Sequence, residues 1–302
     1  MVTAEESEAV QAAIAFDGGG FDYVVPMLPL PSHIRKLART LIALENGVGS
    51  AARPNLLGIY SLLNVAGALE SVTANTAIDD SSIFYCSPAL AHADAESSIA
   101  SKYLAGTIMF SFVWMALEQT ILEIAPNGKG TAGARGRLAF ASPLAVDLDL
   151  DGPLKLTWSF TQAVGDMQAD LRVLRGLLPA APRAEVAFEL VRRVRNAFAH
   201  GTLVPPQPSD WGEGVTHAST PEIDRFFGST RLSLMLIALL LANNVRSGTM
   251  VSHPEDGVYV EDEDEYLEEV PIVWALRSAH LADPWLPPDA AGRTILELNE
   301  VW

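Results

Sequence analysis

Apolar residues along this chain return mainly at intervals of three and four, a rhythm that predicts helices rather than strands. Between Pro31 and Leu44 they fall at Ile34, Leu37, Leu41 and Leu44, one face of a first helix. From Pro54 to about Val72, Leu57, Tyr60, Leu63 and Leu69 offer a second helix to a core. The stretch Thr73 to Ala93 is richer in Asn, Asp and Ser and holds Pro88, so loop with at most a short strand is expected there. A long helix should start at Ala95, where Asp94, Glu96 and Ser97 suit a helix N-terminus, and stop at Pro126-Asn127-Gly128. Apolar on nearly every side, this helix belongs at the centre.

The run NGKGTAGARGR that follows has no GK[ST] at phosphate-loop spacing and reads as a flexible basic connection. DLDLDGP at 147–153 reads as a turn-rich linker, because the downstream glutamate of a calcium loop is missing. Helices resume over Thr157 to Leu178 and again after Pro182. In the latter, Val186, Leu190, Val194 and Phe198 form a steady stripe that Gly201 and Pro205-Pro206 bring to an end. Pro221 to Arg246 is the last long helix, and the acid-rich VYVEDEDEYLEEV beyond it predicts a short strand or hairpin with a solvated acidic face. The segments Tyr103 to Leu117 and Leu232 to Ala242 are apolar enough to resemble membrane spans. The first is interrupted by Thr107 and Ser111, and the second is shorter than the about 20 residues a bilayer needs. Both read as core helices, with no membrane partner expected.

Composition bounds the class. The 302 residues, 49% of them hydrophobic, suffice for a sizeable core. The single cysteine, Cys86, permits no intrachain disulfide and fits a reducing, cytoplasmic setting. The N-terminus carries acids where a secretory signal carries Lys or Arg. A net charge of −17 argues against a general nucleic-acid binder. Its distribution changes that picture: residues 100–204 hold eleven basic side chains against nine acids, a balance of +2, which leaves −19 for the rest.

Chemistry concentrates in that middle third, in Arg195-Asn196-Ala197-Phe198-Ala199-His200. Residues four apart share a helix face, so Arg192, Asn196 and His200 make one polar stripe with Arg195 beside it, while Val194 and Phe198 anchor another face. Imidazole titrates near neutrality and suits proton transfer. The forked, permanently charged guanidinium suits a phosphate oxygen. Together they can break a phosphodiester without a metal ion, His taking the 2′-hydroxyl proton and Arg holding the charge that develops. The plainer alternative is a histidine capping the last carbonyls beside solvated arginines. His33, His92, His217, His253 and His280 are dispersed and read as surface or satisfied core.

VRRVRNAFAHGTL resembles the Arg-Asn-x3-His signature of the HEPN superfamily, helical domains of prokaryotic toxins, defence proteins and RNA-processing systems. FVWMALEQTI is similar to the family's earlier core helix, with Glu118 at its supporting polar position. The resemblance covers roughly residues 95–248. It implies a mainly α fold, a HEPN-like bundle of four to five helices; outside that bundle the chain's own pattern reads as a helical N-terminal extension over 1–94 and a small acidic C-terminal extension over 249–302 that could hold short strands. It further implies a homodimer whose two motifs face each other, and metal-independent RNA cleavage by Arg195 and His200 with no cofactor. Asn196, Glu118 and Arg192 would support them. Arg193, Lys129, Arg135 and Arg137 would bind RNA, and an antitoxin or other regulatory protein is an expected partner. The main rival is a non-catalytic dimeric HEPN-type interaction module. A serine or zinc hydrolase has no support, because Gly-x-Ser-x-Gly and His-Glu-x-x-His are both absent.

Overall fold

The computed structural model describes residues 27–47, 56–78, 86–124, 130–141, 144, 148, 150, 183–203, 205–208, 221–246, 248–252 and 269–281. Among them the fold is mainly α-helical, with one small sheet. The expected helix over 157–178, Lys129, His217, His253 and most of the acid-rich stretch lie outside the described residues.

Helix α1 (Leu30–Gly47) buries the predicted face, since Ile34, Leu37, Leu41 and Leu44 are all enclosed. Helix α2 (Leu56–Gly67) lies against it, with Gly67 close to the α1 backbone at Arg35. Helix α3 (Ser87–Ile124) is the long central rod. It begins eight residues before the expected start at Ala95, because Pro88 occupies its first turn, where a missing N–H costs nothing. It therefore runs unbroken through residues 94 and 95. Hydroxyls inside this apolar helix satisfy themselves on the preceding turn: Ser111 Oγ donates to Thr107 O at 2.7 Å, and Thr120 Oγ1 to Ala116 O at 2.7 Å.

The basic glycine run is only partly a connection. Helix α4 (Ala132–Ala141) takes in Gly133 and Gly136, and the second of these is required by packing. A Cβ on Gly136 would sit 2.3 Å from the ring of Phe188, so its absence lets α4 lie directly on helix α5 (Arg183–Ala199). Phe188 is then enclosed between Phe140 at 5.2 Å and Trp114 of α3, stacked at 6.2 Å.

Helix α6 (Pro221–Asn244) is the main partner of α3. Gly106 lets Phe226 approach, and Phe226 in turn meets Tyr103, Phe110 and Phe198 at ring distances between 5.5 and 5.7 Å. Both α3 and α6 are long and apolar enough to cross a membrane by length and composition. In this fold 61% of the apolar window of α3 and 89% of that of α6 are buried in protein, as expected of core helices. Strands β1 (Met250–Ser252) and β2 (Glu269–Pro271) pair antiparallel, with Val251 opposite Val270. A short helix α7 (Ile272–Ser278), which hydropathy did not single out, follows β2 and packs on α1 and α6. One hydrophobic cluster spans Met27 to Leu281, so both extensions contribute to the same core.

Candidate functional site

The motif lies at the end of α5, and the way that helix ends fixes its geometry. Val186, Leu190 and Val194 are buried, and Phe198 packs edge-on against Phe226. Gly201 then turns left-handed at φ 67°. Thr202 N donates to Ala197 O and Gly201 N to Phe198 O, both at 2.9 Å, the two bonds of a Schellman close. His200 is the last residue before that turn and is exposed. Its backbone N donates to Asn196 O at 2.9 Å, while Arg195 Nη1 donates to Asn196 Oδ1 at 3.4 Å. Asn196 thus touches both partners of the motif, one through its main chain and one through its amide. The loop beyond is anchored as well, since Tyr103 of α3 donates its hydroxyl to Leu203 O at 3.2 Å.

Three other sequence-predicted residues gather around one that the sequence reading did not name. Glu189 accepts Arg192 Nε at 2.8 Å and Arg192 Nη2 at 2.5 Å. Arg193 Nε lies 3.3 Å from the same carboxylate, and Arg137 Nε reaches it from α4 at 3.4 Å. Burial pushes the Glu189 carboxyl up, but the bond to Arg192 and the charges of Arg192, Arg137 and Arg193 outweigh it and hold it below its ordinary value. Glu189 precedes Arg192 by three residues and Arg193 by four, so helical spacing alone signals those two pairs. The reach of Arg137 depends on the docking of α4 and has no local signal. Together α4 and α5 carry six arginines against two glutamates, a local excess of positive charge in an acidic chain. Arg135 is half-buried on α4, its Nε shielded from solvent without an acceptor.

Glu118 is not brought to the motif. Tyr103 meets Leu203 and Trp114 meets Phe188, so α3 runs antiparallel to α5. Glu118 lies one turn beyond Trp114, toward the start of α5, whereas His200 lies three turns past Phe188, roughly 18 Å the other way.

A second histidine cluster sits in the core. His33 of α1, Arg231 of α6 and His280, just past α7, are all buried. Arg231 Nη1 donates to Leu28 O at 2.9 Å and lies 3.5 Å from His33 Nδ1; His33 Nε2 lies 2.5 Å from His280 Nδ1. A guanidinium can only donate, so His33 Nδ1 accepts, His33 Nε2 carries the proton, and His280 Nδ1 accepts in turn. The proton of His280 is left on Nε2, which is buried without a partner. The expectation of a satisfied core therefore holds for His33 and fails at one atom of His280.

The end of α5 thus presents an exposed histidine and, one turn back, a guanidinium hydrogen-bonded to an amide. Among the described residues no three His, Cys, Asp or Glu side chains gather as a metal-ligand set. No protein-family model, curated protein or solved structure matches the chain.

Proposed function

We propose that this protein is a metal-independent endoribonuclease of HEPN type, with Arg195 and His200 at its catalytic centre. The observation that carries the reading is the exposed His200 on a hydrogen-bonded helix close, within two turns of Arg195 and tied to it through Asn196. His200 takes the proton of a 2′-hydroxyl, the 2′-oxygen bonds to phosphorus, and the bond to the 5′-oxygen breaks. The proton ends on that leaving oxygen, and the products are a 2′,3′-cyclic phosphate and a 5′-hydroxyl. Arg195 stabilises the charge that builds on the phosphate oxygens. Arg137, Arg192 and Arg193, gathered at Glu189, continue the positive surface along α5 and hold the RNA backbone. A homodimer with facing motifs, cytoplasmic action in a toxin–antitoxin or phage-defence setting, and an antitoxin-like partner belong to the same proposal.

The test is direct. Purified wild-type protein is expected to cleave RNA equally with and without EDTA, and His200→Ala and Arg195→Ala to lose at least about 10²-fold in rate while staying folded. RNA left intact by the wild type under both conditions ends the reading.

One observation favours the second reading, a non-catalytic dimeric module. On α3 the apolar residues Leu104, Ile108, Met115 and Leu122 fall along one line, and Leu104, Met115 and Leu122 are 40 to 43% exposed. Under that reading Met115→Lys converts a dimer to a monomer in sedimentation analysis, and His200→Ala changes no RNA.

A further inference from the structure

Arg225 stands one turn into α6, and no sequence motif marks it. The residue is 6% exposed. Its Nε is sealed from solvent and meets no acceptor, and no carboxylate pairs with it among the described residues. Arg231 and Arg192 show the more usual arrangement: Arg231 has Leu28 O and His33, and Arg192 has Glu189. A buried guanidinium donor without an acceptor is costly, and a bound anion is one group that relieves the cost.

Its position ties it to the motif. The neighbouring Phe226 packs edge-on against Phe198, two residues before His200, and against Tyr103. The Tyr103 hydroxyl donates to Leu203 O, three residues after His200. Burial raises the pKa of that hydroxyl, and the positive charge of Arg225 acts on it in the opposite direction, so the guanidinium lies within electrostatic reach of it. Arg225 therefore lies within electrostatic reach of the tyrosine that anchors the loop after α5, near the positive end of the α6 dipole, where an anion is favoured.

We propose that Arg225 is a phosphate-binding residue of the motif end of α5, gripping phosphate oxygens from the α6 side while Arg195 and His200 approach from α5. The forked guanidinium matches two phosphate oxygens at once. That the phosphate belongs to RNA rests on the ribonuclease reading; the anion site itself does not.

The test follows the His200 ring resonances during titration with inorganic phosphate, for wild type, Arg225→Gln and Arg225→Lys, beside RNA cleavage by the same proteins. The wild type is expected to bind, Arg225→Gln to bind at least about tenfold more weakly, and Arg225→Lys to recover part of the loss because charge remains while the fork is gone. In cleavage, Arg225→Gln should raise KM more than it lowers kcat. Equal phosphate affinity in wild type and Arg225→Gln overturns the proposal, as does a wild type that gives no response. Phosphate binding that needs Arg225, in a protein that cleaves no RNA, upholds the anion site and removes the ribonuclease reading. Full RNA cleavage with unchanged phosphate affinity in Arg225→Gln does the reverse. Should Arg225→Gln fail to fold, the Arg225 Nε–H resonance of the wild type is followed through the same titration: a shift supports the site, and a stationary signal overturns it.

Discussion

Imidazole meets guanidinium at two places in this molecule, and the two differ in almost every property that matters. At the close of α5, His200 is exposed and Arg195 half-buried, bridged by the side chain and main chain of Asn196. In the core, His33 and His280 are fully enclosed and Arg231 nearly so. Burial, then the charges of His280 and Arg231, drives His33 well below its ordinary value; burial and Arg231 take His280 to about 3, and burial takes Arg231 to about 10. The core cluster is a chain of buried rings hung from one cation. Residue type alone therefore does not mark a proton-transfer site. Solvent access separates the two places, the His200 residue being exposed and the core rings enclosed.

The sharpest way to break this contrast is to remove one histidine from each place. His33→Ala strips Arg231 of an acceptor and His280 Nδ1 of its donor, and it opens a cavity where α1, α6 and the end of α7 meet. A stability loss of about 2–4 kcal/mol is expected in chemical denaturation. RNA cleavage per folded molecule should be unchanged. His200→Ala should do the opposite, costing no more than about 0.5 kcal/mol, as for an ordinary surface change, while abolishing cleavage. Equal destabilisation by the two variants would show that the α5 close is also structural.

Acid provides the next test. His33 and His280 have folded-state pKa values below the unfolded value of about 6.5. As pH falls through that value the unfolded chain binds protons that the fold refuses, and stability declines with it. The slope is about 1.4 kcal/mol per pH unit for each histidine, and for His280 it continues until pH nears about 3. Glu189, whose folded pKa is depressed, loses its contribution only below the unfolded carboxylate value of about 4.3. The window from pH 6.5 to 5 thus isolates the core histidines. Denaturation measured across it should be steep for the wild type and His200→Ala, and flatter for a His33→Ala, His280→Ala double variant. A double variant as steep as the wild type would remove the core pair as the source.

How much of this was legible in sequence follows the same divide between local and long-range causes. The faces of α1 and α5 were readable because each repeats its apolar residues with helical period, α6 because its apolar run is long, and the end of α5 because Gly201 is the left-handed residue a helix close needs. The start of α3 was misplaced because Pro88 speaks equally for a loop and for a helix's first turn. Helix α4 was not legible because its glycines in isolation weaken a helix, and one of them, Gly136, is required by the ring of Phe188 from another element. At the site, Arg195, Asn196 and His200 are neighbours along one helix and so were legible. Glu189 was half legible through its spacing to Arg192 and Arg193. Arg225 was invisible, since its relation to the motif runs through Phe226, Tyr103 and the packing of α6 on α3. The distance between Glu118 and His200 likewise follows from the antiparallel run of α3 and α5, which no local pattern reports.

The smallest expected effect concerns Gly201. Nothing lies within 4 Å of where its Cβ would be, so Gly201→Ala meets no steric obstacle and any cost is that of the backbone at φ 67°. For an L residue that cost is about 1 kcal/mol, and Gly201→Asn should recover part of it because Asn tolerates this region better. Its location distinguishes it from the core variants. The strain falls on the two main-chain bonds that hold His200 in place, Thr202 N to Ala197 O and Gly201 N to Phe198 O. Cleavage should therefore drop severalfold in Gly201→Ala while the acid response of the core histidines stays as in the wild type. A change in stability with no change in cleavage would mean that His200 acts without needing a fixed helix close, and the α5 end would then lose the rigidity on which its contrast with the core cluster depends.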